Sequence, residues 1–251
     1  MITKAQQKYI KALQIKKYRK LHQAFLVEGE KSLVELLTDT RWPVETLYCT
    51  ELFYEKYATL IQQRAASYIL TTADDLAKAG TLTNNQAGLA VVPWFVWPDL
   101  GNPTQGRWLI LDDIQDPGNL GTILRIADWY GLQGIVCSIG TVDVYNPKVV
   151  MASMGALLRM PVYYTDLQEF IAQQSLPIYA AMLEGKNVHQ FNFSPQGGLL
   201  LMGNEGHGVQ PELLQYVQHS LHIPRYGLSE SLNVAIATAV LCDNWLRDFG
   251  G

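Results

Sequence analysis

Three stretches of the chain carry residues able to do chemistry. In Leu109 to Gly131, LILDDIQDPGNLGTILRIADWYG, turn formers from Asp112 to Gly121 follow the apolar run Trp108 to Leu111 and precede a helical pattern that begins at Leu120. Asn119 is placed to cap that helix, and Arg125 is the charged group of its second turn. Ligands of α/β sheets bind beyond the carboxyl ends of strands, which is where this loop sits. The plainer reading is an ordinary strand-loop-helix with a solvated arginine.

The second stretch is Gly203-Asn-Glu-Gly-His-Gly208, directly after the very apolar Leu199 to Met202. Its three glycines let backbone groups approach a ligand closely and leave N–H donors unblocked. No lysine follows as in a P-loop, the spacing is not a dinucleotide fingerprint, and Glu205 would repel a phosphate. A neutral or cationic ligand fits better, beside the alternative of a simple glycine-rich turn. His207 lacks a partner at metal-ligand spacing and reads as a loop histidine, so no metal is expected. In the third stretch, Ile223 to Val234, Ser231 is a natural N-cap and Asn233 falls in the first helical turn. Without a G-x-S-x-G elbow, Ser231 does not read as a hydrolase nucleophile.

These stretches need a scaffold of alternating strands and helices. Of the 251 residues, 48% are hydrophobic and 17% charged, which predicts a well-packed core. Cys49, Cys137 and Cys242 sit singly in apolar runs and read as buried thiols in a reducing compartment. With no apolar run of bilayer-spanning length, the expectation is a cytoplasmic protein with no membrane partner. The pattern predicts two α/β domains, 1–98 and 107–251, joined by a turn-rich linker at 99–106. In the first, strands are expected at Phe25–Val27, Val44–Thr50, Tyr68–Thr71 and Ala87–Trp94, with helices between. In the second, helices are expected over Pro147–Leu158 and Ser231–Phe249, the latter apolar enough, with Trp245 and Phe249, to suggest a homodimer face.

Charge is distributed unevenly. Residues 1–22 hold Lys4, Lys8, Lys11, Lys16, Lys17, Arg19 and Lys20 and no acid, while the rest of the chain has a net charge of −11. A basic arm on an acidic body suggests a polyanion met locally. A solvated helix with Ile10 and Leu13 as its apolar edge is the alternative.

DPGNLGTILRIAD at Asp116–Asp128, LLLMGNEGHGV at Leu199–Val209 and IPRYGLSESLNVAIA at Ile223–Ala237 resemble the three ordered motifs of the SpoU (TrmH-type) RNA ribose 2′-O-methyltransferases of the SPOUT superfamily. Asn146–Leu157 is similar to a further family segment, and KYRKLHQAFLVEGEKSLVELL to the substrate-binding domain that many members carry. The resemblance implies a C-terminal α/β domain with a deep trefoil knot (107–251), preceded by a smaller α/β RNA-binding domain (1–98). It implies a homodimer, S-adenosyl-L-methionine held by backbone groups around Gly203, Ile223 and Leu232, and RNA as substrate, ribosomal ahead of transfer RNA. A non-catalytic RNA-binding module is the rival from another class, but it would need a broken motif.

Matched residue by residue, the resemblance implies catalytic roles for Arg125, Asn119, Glu205, Ser231 and Asn233, and assigns phosphate contacts to the basic arm. Met151 stands where many relatives have arginine, and Arg225 where many have methionine. The family account makes the arginine a base. A guanidinium practically never gives up its proton in a protein, so gripping phosphate and stabilising a developing alkoxide is the safer physical role.

Overall fold

Runs of apolar residues broken by turn formers fold this chain into two compact units in the computed structural model, which describes residues 1–247. Phe249 lies outside the described residues. One unit is Met1–Val96 with Asp143–Leu158; the other is Trp97–Val142 with the chain from Arg159 onward.

The first unit begins with helices α1 (Lys4–Leu13) and α2 (Lys16–His22). Thr3 and Gln6 form a reciprocal cap: the Thr3 hydroxyl accepts from the Gln6 N–H, and the Gln6 side chain accepts from the Thr3 N–H at 2.9 Å. Ile10 and Leu13 are buried, which leaves the lysines to solvent. Then follow β1 (Ala24–Glu28), α3 (Glu30–Thr38), β2 (Thr46–Cys49), α4 (Glu51–Arg64), β3 (Tyr68–Leu70), α5 (Ala73–Ala79) and β4 (Gly88–Pro93). The sheet order is β1-β4-β2-β3, with β4 antiparallel to both neighbours and β2 parallel to β3. Leu26, Tyr48, Leu76, Leu89 and Val91 pack with Ile10 and Leu13 into its core.

The chain continues through β5 (Gly106–Leu111), α6 (Pro117–Trp129), β6 (Gly134–Ser138), α7 (Pro147–Ser153), β7 (Val162–Thr165), α8 (Leu167–Ala172), β8 (Ile178–Asn187), β9 (Gly197–Met202), α9 (Pro211–Leu214), β10 (His219–His222) and α10 (Val234–Leu246). Apart from α7, these build the second unit on a six-stranded parallel sheet of order β10-β8-β9-β5-β6-β7. Parallel strands covered on both faces read as continuous apolar runs, as Leu199–Leu201 do at full burial. α6 and α10 pack on one another.

Several expectations change here. The stretch 107–251 is not one continuous unit, because Asp143–Leu158 belongs with the first. The cause is aromatic and ionic: the Tyr145 ring lies 4.6 Å from Phe25 and stacks on Trp94 at 5.2 Å, and the Trp42 indole donates to the Leu158 carbonyl at 2.9 Å. Asp143 meets Arg19 from the same unit. The expected helix Pro147–Leu158 also stops early, at Met154 with φ 50°, and resumes as a 3-10 turn at Ala156–Leu158. The closing helix starts at Val234 rather than Ser231, and its Trp245 is wholly buried within the chain, so Trp245 offers nothing to a partner.

Candidate active site

The strand order of the parallel sheet reverses at β9 and β5, whose last residues, Met202 and Leu111, are paired. Two loops leave side by side there, at the position where α/β sheets bind ligands. Asp116, not Asn119, caps α6: its Oδ1 accepts the Asn119 N–H at 2.8 Å, and Pro117 occupies the first turn, where no N–H is needed. This frees the Asn119 side chain. Its Nδ2 donates to Glu205 Oε1 at 2.6 Å, and its Oδ1 accepts from Asn233 Nδ2 at 2.9 Å.

Asn233, in place of the expected Ser231, caps α10, its Oδ1 accepting from the Ala235 and Ile236 N–H groups at 3.0 and 3.3 Å. The three motifs thus meet in one hydrogen-bond chain, Glu205–Asn119–Asn233. A carboxylate can only accept, so Glu205 dictates which way the Asn119 amide faces, and Asn119 in turn orients Asn233. Ser231 is exposed and outside this chain of bonds among the described residues.

Arg125 lies six residues along α6 from Asn119, about 9 Å down the axis. It is exposed and makes no hydrogen bond or ion pair among the described residues. One turn further, Trp129 is 85% exposed. Ile236 on α10 and Leu232 before it are also more than half exposed.

The loop after β9 is held from several sides. Asn204 and Gly208 exchange backbone hydrogen bonds at 3.0 and 2.9 Å, and the Asn204 amide donates to the Asp113 carbonyl at 2.7 Å. Asp112, wholly buried, accepts from Gln210 through both carboxylate oxygens. Burial raises its pKa above the usual carboxylate value, against the pull of the Gln210 hydrogen bonds. His207 stands 3.7 Å from the Asp113 carboxylate, as a loop histidine. Sequence reasoning took Asp112 and Asp113 only for turn formers; the signal was two carboxylates directly following a buried strand. The backbone groups of Gly203, Ile223 and Leu232 enter no hydrogen bond among the described residues.

In the basic arm, Lys4, Lys8, Lys11, Lys16, Lys17 and Lys20 are exposed. Arg19 is not: at 2% exposure its Nε and Nη2 donate to Asp143 Oδ2 at 2.9 and 2.7 Å, and its Nη1 to the Leu13 carbonyl. Its place among the phosphate contacts is lost, because its charge is already spent inside the unit. Lys8 and Lys11 flank an open groove lined also by Tyr9, Ile15, Tyr18 and His22.

Comparison with known proteins places this geometry. The chain is 32% identical, over 92% of its length and 92% of the relative's, to the 23S rRNA (guanosine(2553)-2′-O)-methyltransferase RlmP of Bacillus subtilis. It is 31% identical to the 23S rRNA (uridine(2479)-2′-O)-methyltransferase of Streptomyces viridochromogenes, over 86% of this chain and 80% of that one. The crystal structure of an AdoMet-bound rRNA methyltransferase from Sinorhizobium meliloti superposes with a TM-score of 0.89 at 28% identity, covering 100% of this chain and 97% of that one. Residues 4–90 match the MRM3-like substrate binding domain. With residues 106–243 matching its profile, this chain belongs to the SpoU rRNA Methylase family.

Proposed function

We propose that this protein is an S-adenosylmethionine-dependent RNA 2′-O-ribose methyltransferase acting on ribosomal RNA. The observation that carries the reading is the hydrogen-bonded Glu205–Asn119–Asn233 chain, which joins all three motifs at the switch point of the sheet. Family membership and the rRNA 2′-O-methyltransferase names of the relatives support it.

The residues fit the cofactor. The free backbone groups of Gly203, Ile223 and Leu232 would hold it, and the exposed Glu205 carboxylate suits a nearby cation. S-adenosylmethionine, when bound, supplies a methyl carbon made electrophilic by its sulfonium. The protein then has to orient a ribose hydroxyl and ease the loss of its proton, and orientation and proximity account for much of the acceleration. Arg125 grips the phosphate beside the reacting ribose and stabilises the oxygen as negative charge develops on it. Asn119 and Asn233 keep the floor of the site in one arrangement.

The proposal includes a homodimer. Arg125 has no partner among the described residues and is well separated from the Asn119 chain on its own α6, with exposed Trp129, Ile236 and Leu232 as an apolar surface. A site completed by the partner's arginine brings the separated parts together and covers that surface. The proposal also takes in the trefoil knot of the C-terminal domain (107–251) and RNA contact through the exposed lysines of residues 1–98. The α1–α2 groove, cationic and aromatic with no acid in residues 1–22, suits an unpaired nucleotide. The buried thiols suit the reducing cytoplasm.

The test is methyl transfer from labelled S-adenosylmethionine to ribosomal RNA isolated from cells lacking this protein, followed by mapping of ribose methylation. One ribose 2′-O-methyl in 23S rRNA is expected. Labelling of transfer RNA alone would overturn the target, and label on bases would overturn the reaction.

A further inference from the structure

We propose that Asp112 is a positioning residue for cofactor binding, fastening both ends of the Gly203–Val209 loop. The proposal rests on the reading of that loop as part of the cofactor seat. Where the loop begins, the Asp112 N–H donates to the Met202 carbonyl at 2.9 Å. Where it ends, Asp112 Oδ2 accepts the Gln210 N–H at 2.8 Å and Oδ1 accepts from Gln210 Nε2 at 2.6 Å. One residue at the end of β5 therefore closes the loop at its neck.

The loop is stiff between these points. The Asn204 side chain accepts the Gly206 N–H at 2.7 Å, and its amide is tied to the Asp113 carbonyl. A Cβ at Gly203 would come within 2.3 Å of the Gly208 carbonyl carbon, so the two legs of the loop lie in contact. A loop held in this way presents its free backbone groups in one arrangement before a ligand arrives, and binding then loses less conformational entropy.

Gln210 brings a backbone N–H and a side-chain NH₂ to the same place, and a carboxylate has one oxygen for each. Burying a carboxylate is unfavourable in itself, and Asp113 nearby adds to the cost while the Gln210 hydrogen bonds and His207 oppose it. What the buried carboxylate contributes is the geometry of the loop.

Four variants test this: Gln210→Ala, Asp112→Asn, Asp112→Ala and the double Asp112→Ala/Gln210→Ala. Each is measured by calorimetry with S-adenosylmethionine, by KM and kcat, and by thermal midpoint. Gln210 is exposed, so its variant keeps the core intact. We expect Gln210→Ala to weaken cofactor binding about threefold to tenfold, with kcat at saturating cofactor unchanged, as for the loss of one hydrogen bond. Asp112→Ala should lose more than tenfold, and the double variant should bind no worse than Asp112→Ala. Asp112→Asn should recover most of the affinity, because the Gln210 amide can turn over and accept from the new NH₂.

Wild-type affinity in Gln210→Ala would overturn the proposal, and so would a loss in the double variant equal to the sum of two measurable single losses. So would a parallel loss of affinity, kcat and thermal midpoint that asparagine does not rescue, which is what a purely structural residue gives. If Asp112→Ala does not fold, Gln210→Ala decides: unchanged affinity refutes the fastening role. Failure of the wild-type protein to bind the cofactor would instead refute the reading of the loop.

Discussion

The Asn119 amide donates to Glu205 at 2.6 Å across 86 residues of sequence, and this bond sets the direction of every hydrogen bond that follows it to α10. Asn119→Asp reverses the logic by setting two carboxylates against each other. One of them must hold a proton for the contact to persist, which pushes the pair's pKa upward. Turnover should fall about 10²-fold or more at neutral pH and recover as pH decreases. Asn119→Ala should lose activity without that acid-side recovery. A kcat/KM profile against pH for both variants checks the sign; identical profiles would show that the Glu205 contact does not matter to catalysis.

Arg125 has no partner within the described chain, so its loss should leave the fold alone. Arg125→Ala should lower kcat by about 10²- to 10³-fold while S-adenosylmethionine binding persists. Arg125→Lys keeps the charge but loses the planar fork, and should be nearly as poor. Mixed dimers of Arg125→Ala and Asn119→Ala protomers, isolated by separate tags, should regain activity if the arginine serves the partner's site. No regain in the hybrids would place the arginine in its own protomer's site.

Arg19 and the six exposed lysines should separate cleanly. Arg19→Ala strands Asp143, only 14% exposed, without its counter-charge, and should destabilise the protein by about 3 kcal/mol. Neutralising the lysines in groups should leave the denaturation midpoint in place and flatten the salt dependence of RNA binding. Chemical denaturation and binding titrations at several salt concentrations read the two effects separately. An unchanged salt slope would make the arm a solvated helix.

Asp112 gives a pH dependence with a definite sign. Its folded-state pKa is raised, burial being the largest cause. A raised pKa means that its stabilising contribution is complete below the ordinary carboxylate value of about 4 and is lost as pH rises through the folded value. Relative to Asp112→Asn, the wild-type protein should therefore lose stability between acid and neutral pH. Urea midpoints at the two ends of that range check it; a constant difference would contradict the shift.

The thiols should be silent. Cys49 and Cys242 are pushed up to about 11 and about 12 by burial, and Cys137 higher still. At pH 8 iodoacetamide should label none of the three in the native protein, and all three after denaturation. Rapid native labelling would mean local opening around the thiol concerned.

Much of this architecture was legible from residue patterns because the strands are buried on both faces and the breakers between them are dense. Leu199–Met202 and Trp108–Leu111 stood out as apolar runs, and Gly203–Gly208 as a loop, for that reason. Choosing among neighbouring caps was harder. Asp116 and Asn119 can both cap a helix, and Pro117 decides for the former by fixing the first turn; at α10 no such local signal separates Asn233 from Ser231, and Asn233 is the one bonded to Asn119. Arg19 read as one cation among seven, since nothing local distinguishes it, and its counter-ion lies 124 residues away. The partnership of Asp112 with Gln210 was hidden by the same kind of distance.

The discontinuity of the first unit bears on how the protein is made. Tyr145, α7 and the Leu158 carbonyl complete the aromatic cluster of Phe25, Trp42 and Trp94, yet the whole of Trp97–Val142, which belongs to the other unit, is synthesised between Val96 and Asp143. At about 5 to 20 residues per second, the nascent N-terminal segment waits several seconds with that cluster uncovered. Its folding cannot finish in simple order from the amino end, and the second unit has begun to emerge before the first is closed.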